Sequence, residues 1–187
     1  MKKHAWMILS FGILLSLVVP RHARAQLPNG YGQAISVETA RKVAAAAAAE
    51  GKKNGWNGAV AIVDGDGELV LFERADSTQA GSIVVSQEKA RTAARFKRPT
   101  KAFEDALAGG RQAILGLPGV VPIEGGIPLL VEGKIIGAIG VSGATSQQDG
   151  VCAQAGADSL GKPPGTAAAA PAAPATPAAP KPPANKK

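Results

Sequence analysis

Three arginines and a threonine beside a proline carry the most suggestive chemistry in this chain. Arg91, Arg95 and Arg98 recur at i, i+4 and i+7, a spacing that places them on one face of a helix. Guanidinium forks match carboxylates in two-point geometry, so this face suits a ligand with carboxylates. The same spacing also suits a solvated helix surface paired with neighbouring acids. Thr100 stands just past Pro99, at the start of the next helix, where it can cap that helix or turn a hydroxyl towards a ligand. Phe96 and Phe103 flank the corner and are expected to pack in the core.

What is missing narrows the chemistry further. The two histidines, His4 and His22, fall within a leader at residues 1–25: Lys2 and Lys3, an apolar run from Trp6 to Val19, and Ala23-Arg24-Ala25 as a cleavage pattern. The chain left after cleavage has no imidazole, which excludes Ser-His-Asp and Cys-His catalysis and histidine metal sites. The residue directly after the cleavage point is Gln26 rather than cysteine, which disfavours a lipid anchor. The location expected is periplasmic or secreted, with no membrane span once the leader is gone. Cys152 has no partner for an internal disulfide and is expected to be a small buried helix residue, or else to crosslink two chains.

Charge tells a similar story. The formal net charge is +7, but four of the 21 basic residues lie in the leader and four more in the tail. Between residues 26 and 160 there remain 13 basic and 14 acidic side chains. Nucleic acid, which is bound largely through phosphate neutralisation, is therefore not an expected partner. From residue 161 onward the chain is rich in Pro, Ala and Lys, a composition that cannot build a core. One domain, residues 26–160, is expected.

The elements that must position the arginine–threonine corner can be read from local signals. Ser36 can cap a helix running to about Lys53. Ala59–Val63 and Glu68–Phe72 flank Asp64-Gly65-Asp66-Gly67, which predicts a hairpin and lacks the later ligands of a calcium loop. Helices are predicted from about Ala80 to Lys97, from Lys101 to Ala108, and from about Ser146 to Leu160. Val120–Ile123 reads as a short strand. A glycine-rich hairpin spans Gly125 to Gly143, turning at Glu132-Gly133. Gly137 and Gly140 sit inside its second arm, where a missing side chain implies close approach by a helix, another chain or a ligand. Hairpins in this order predict an α+β fold, an antiparallel sheet of about five strands with helices packed on it. Gly133-Lys134 lacks the Ser or Thr of a P-loop, and Ser142 has no histidine to activate it.

The blocks Ser86–Phe96, Arg98-Pro99-Thr100, Gly125–Leu129 and Gly133–Gly143 resemble the GlcG/HbpS family of "haem-degrading" domains, across roughly residues 35–160. The resemblance implies a profilin-like domain that assembles into homo-oligomers. It also implies haem, or another small ligand, as partner. Some members act with a sensor kinase, and others sit beside glycolate-oxidation or cobalamin enzymes. In the haem-binding branch an axial threonine is implicated rather than a histidine. Thr100 is then the expected iron contact, with Thr92 as the other threonine near the motif, and Arg91, Arg95 and Arg98 would pair with the propionates. The function expected is an exported haem (tetrapyrrole)-binding protein serving as sensor or scavenger accessory. The alternatives are an enzyme acting on haem or a small hydroxy or keto acid, and an oligomeric assembly protein without a ligand.

Overall fold

In the computed structural model residues 29–161 are described; the expected leader and all of the tail beyond Gly161 lie outside the described residues. Helix α1, Val37–Asn54, starts where Ser36 Oγ accepts the Thr39 amide at 3.2 Å and stops at Gly55, whose φ of 73° lets its amide turn back onto the last carbonyls. Its buried face is Ala40, Val43, Ala44 and Ala47, the one-sided spacing of an amphipathic helix. Strands β1 (Ala59–Val63) and β2 (Leu69–Arg74) follow as an antiparallel hairpin. In the turn between them Asp64 Oδ1 accepts the amides of Asp66 and Glu68 at 3.0 and 2.9 Å, so this segment is an Asx-type turn. Helix α2 (Gly81–Phe96) and helix α3 (Lys101–Ala108) come next, then a 3-10 turn at Gln112–Gly116. Strands β3 (Gly126–Val131) and β4 (Lys134–Ser142) form the second hairpin, and helix α4, Ser146–Asp158, closes the order.

The sheet runs β2-β1-β4-β3, with all its strand pairs antiparallel. Alternation along β1 splits the core in two. Ala61 and Val63 meet Ala90, Ala93 and Ala94 of α2, whereas Val60 and Ile62 face Val43 and Ala47 of α1 and Cys152 and Ala153 of α4. The sheet is therefore a filling between α2 on one side and α1 with α4 on the other. Ile62 and Ile139 are fully buried, each contributing about 1.5–3 kcal/mol of transfer free energy.

Two expectations change. The sheet has four strands rather than about five, because Val120–Ile123 forms none. Pro122 has no amide to donate, and the Val121 amide is taken by Thr92 Oγ1 at 3.0 Å. The sheet also gains a parallel bridge between Tyr31 and Ile135, where the chain entering α1 lies along the start of β4 beyond the end of β1. The second hairpin turns with positive φ at both Glu132 (49°) and Gly133 (74°), the signature of a tight two-residue loop. The glycine question is resolved by helix α2: a Cβ on Gly140 would lie 2.6 Å from the Ala90 amide nitrogen.

Candidate functional site

The three arginines do not share a face. Helix α2 ends at Phe96, Lys97 adopts a left-handed conformation (φ 56°), and Arg98 leaves the helix. Arg91 and Arg95 lean instead onto the β1–β2 turn. Arg91 Nε donates to Gly67 O at 3.3 Å and its Nη1 pairs with Glu88 at 2.6 Å. Arg95 Nε donates to Asp66 O at 3.0 Å, with Glu68 3.6 Å from its Nη2. These two are the paired helix surface that the spacing also allowed. Arg98 Nε donates to Phe96 O at 3.2 Å while its guanidinium lies 5.6 Å from the Phe103 ring centre, and no carboxylate among the described residues pairs with it. Phe96 and Phe103 meet edge to face at 5.5 Å.

Thr100 is fully buried and makes no capping hydrogen bond to its helix, so neither its expected exposure nor its N-cap role is found. Its Oγ1 accepts the Gly126 amide at 2.9 Å, and its own amide donates to Gly126 O at 2.9 Å. The threonine thus clips the start of α3 to the start of β3. Thr92 is equally enclosed, its hydroxyl donating to Gly119 O at 3.2 Å.

The sequence reading missed the most heavily charged buried feature. Lys89, 1% exposed, sends its Nζ to Asp149 Oδ2 at 2.8 Å and to Val141 O at 3.0 Å. Asp149 Oδ1 in turn accepts the Ala144 amide at 3.1 Å. This joins α2 to α4 past the ends of β3 and β4, and the glycine pair makes the passage. A Cβ on Gly125 would lie 2.9 Å from Lys89 Nζ and 3.0 Å from Asp149 Cβ. One signal was present in the sequence: Ser82, Ser86, Lys89 and Ala93 follow the buried spacing of α2, which puts a lysine where an apolar residue belongs.

Asp149 also lines a cleft of about 480 Å³ between the C-terminal half of α1, the end of β2 and the first turn of α4. Trp56, Val60 and Val141 form its apolar wall, and Cys152 lies in it. Burial, reinforced by Asp149 and Glu50, pushes the Cys152 thiol up to about 11, so it is a protonated, unreactive thiol at neutral pH. Among the described residues no three His, Cys, Asp or Glu side chains gather as metal ligands, and no helix is long and apolar enough to cross a membrane.

Comparison with known proteins agrees with this architecture. Protein GlcG of Escherichia coli (strain K12) is 41% identical over 108 residues, which is 58% of this chain and 81% of GlcG. The Streptomyces reticuli HbpS, solved as a double mutant, superposes with a TM-score of 0.65 at 28% identity, covering 86% of this chain and 100% of that one. A crystal structure titled as a PduOC:Heme complex superposes with a TM-score of 0.62 at 26% identity, covering 68% of this chain and 96% of that one. With residues 35–158 matching the family described as "Haem degrading protein HbpS-like", and its fold superposing on these neighbours, the chain belongs to that family.

Proposed function

We propose that this protein is an exported haem-binding protein, a sensor or scavenger accessory that works in the periplasm or outside the cell as a homo-oligomer. The observation that carries the reading is membership of a family described as haem degrading, with a solved neighbour at 26% identity that holds heme.

The chain's own side chains fit the periphery of a haem better than its iron. Residues 26–187 contain no histidine and no methionine. The hydroxyls of Thr100 and Thr92 are engaged by main-chain groups, and Cys152 is 4% exposed. In one subunit no axial donor among these stands free, so we derive no chemistry at the iron. Arg98 is different: its terminal nitrogens have no carboxylate partner and suit a propionate, beside the Phe103 ring. Arg91 and Arg95 would contribute only by releasing Glu88 and Glu68. Thr100 would reach iron only by giving up the Gly126 amide.

Titration of residues 26–187 with haemin, followed in the Soret band, tests this. A saturable shift is expected, and Arg98→Ala should weaken binding about tenfold, the loss expected for one charge-assisted contact. Absence of any Soret shift refutes haem binding. Thr100→Val should lower stability; an unchanged Soret band in that variant removes Thr100 from the haem.

A further inference from the structure

We propose that Asn29 is a site of spontaneous covalent modification, deamidated through a cyclic imide that the amide nitrogen of Gly30 closes. Asparagine precedes glycine at three places, Asn29-Gly30, Asn54-Gly55 and Asn57-Gly58, and all three asparagines are exposed. Glycine has no Cβ to shield its nitrogen, so each pair carries the same intrinsic chemistry. The glycine nitrogen loses its proton to base in the solvent and bonds to the asparagine Cγ. The Cγ–Nδ2 bond breaks, and ammonia leaves. Water then opens the imide at either carbonyl. Attack at Cγ leaves aspartate, whereas attack at the main-chain carbon leaves isoaspartate, with the chain rerouted through the side chain. Nothing is oxidised or reduced.

The surroundings of the three pairs differ. At Asn54, the last residue of α1, Nδ2 donates to Glu50 O and to Glu50 Oε1, both at 2.8 Å, and the Gly55 amide donates to Lys52 O at 3.2 Å. Leaving group and nucleophile are both held. At Asn57 the restraint lies in the main chain on either side. The Trp56 amide donates to Gly51 O at 2.8 Å, and Gly58 O accepts the Ala75 amide at 3.0 Å. A Cβ on Gly58 would lie 3.0 Å from Ser142 O, so the chain here is packed against the end of β4. Ring closure twists the Asn57 Cα–C bond between these anchors and must strain them. At Asn29 neither the side chain nor the Gly30 amide has a hydrogen-bond partner among the described residues, and a Cβ on Gly30 would meet nothing within 4 Å. The first anchor comes after the reacting atoms, where Gly30 O accepts the Ile135 amide at 2.9 Å. Asn29 can therefore turn on its Cα–C bond without breaking any described contact. The product carboxylate arises at the entry to the Tyr31–Ile135 bridge. The inference does not depend on haem.

The test ages residues 26–187, which hold every described element, in mildly alkaline buffer at physiological temperature. Tryptic peptides report the outcome by mass. Residues 26–41 carry Asn29 as their one asparagine, and residues 54–74 carry Asn54 and Asn57, which fragmentation separates across Trp56. In the folded chain the acid should form at Asn29 at least about tenfold faster than at Asn54 or Asn57, the factor that one broken hydrogen bond imposes. It should appear as two products of equal mass, aspartate and isoaspartate, resolved by chromatography. In concentrated urea the two restrained pairs should catch up and the three rates converge. Gly30→Ala, which places a methyl group in open space, should leave the melting temperature unchanged and slow the reaction at Asn29 about tenfold or more. The proposal is overturned if Asn29 stays intact in the folded chain while the urea-unfolded chain reacts, or if Asn54 or Asn57 leads in the folded chain. It is equally overturned if the ranking persists in urea, or if Gly30→Ala reacts as fast as wild type.

Discussion

Replacing Lys89 by Met, or Asp149 by Asn, should each destabilise the fold far more than replacing both together. The pair is almost sealed from water, with side-chain exposures of 1% and 5% and an Nζ–Oδ2 distance of 2.8 Å. Lys89→Met keeps the volume of the stem but leaves a buried carboxylate with the Ala144 amide and no counter-charge, at a cost of about 3–5 kcal/mol. Asp149→Asn keeps an acceptor for Ala144 and strands the ammonium on Val141 O, with a penalty of the same order. The double variant contains neither charge, and its main loss is the hydrogen bond to Val141 O, about 1–2 kcal/mol. The singles therefore sum to about 6–10 kcal/mol against about 1–2 for the pair, a coupling of at least about 4 kcal/mol. Urea unfolding at neutral pH, followed by circular dichroism, measures all four corners of the cycle. A domain of this size has about 5–15 kcal/mol in total, so a single variant can unfold outright while the double refolds, which is the same result in another form. Additive losses, or a double variant weaker than both singles, would refute the reasoning.

Two further outcomes are expected from the same packing. Gly140→Ala pushes a methyl group against the main chain of α2 at Ser86 and Ala90, and should cost about 1–3 kcal/mol in urea melts; a neutral result would mean that α2 lies farther from β4 than described. The raised Cys152 thiol favours the protonated form in the folded chain, so its contribution is complete below the unfolded value of 9.0 and is lost as pH rises towards about 11. Wild type should therefore lose up to about 2 kcal/mol relative to Cys152→Ala across that window, and a pH-independent difference between the two would contradict this.

Elements set by neighbouring residues were legible in the sequence. The Ser36 cap, the Asp64–Gly67 turn and the Glu132-Gly133 turn each depend on hydrogen bonds or φ preferences within a few residues, and the helices and hairpins they bound lie where expected. The arginine–threonine corner was misjudged where distant contacts or a single backbone choice decide. Lys97 could continue the helix or end it, and its left-handed conformation breaks the i, i+4, i+7 row before Arg98. The Thr100 hydroxyl has a local use as a cap and a remote one at Gly126, 26 residues away, and the remote one prevails. The partner of Lys89 is 60 residues distant, so the spacing along α2 could mark the lysine as enclosed without naming Asp149. Val120–Ile123 has the composition of a strand, but the Val121 amide is drawn to Thr92 of α2 and the amide of Glu124, just beyond it, to Glu104 of α3.

The hydrogen bonds between Thr100 and Gly126 have a consequence for how copies of the sheet could meet. They occupy both main-chain groups that Gly126 turns away from β4, and the next residue facing outward on β3 is Pro128, which has no amide. Along Gly126–Pro128 the β3 border thus offers no free amide to an incoming strand. The opposite border, β2, carries neither proline nor glycine along Leu69–Arg74. Strand-to-strand contact through β2 would join two molecules about a twofold axis. Among the described residues, continued growth by sheet extension is therefore disfavoured at the Gly126–Pro128 end of β3.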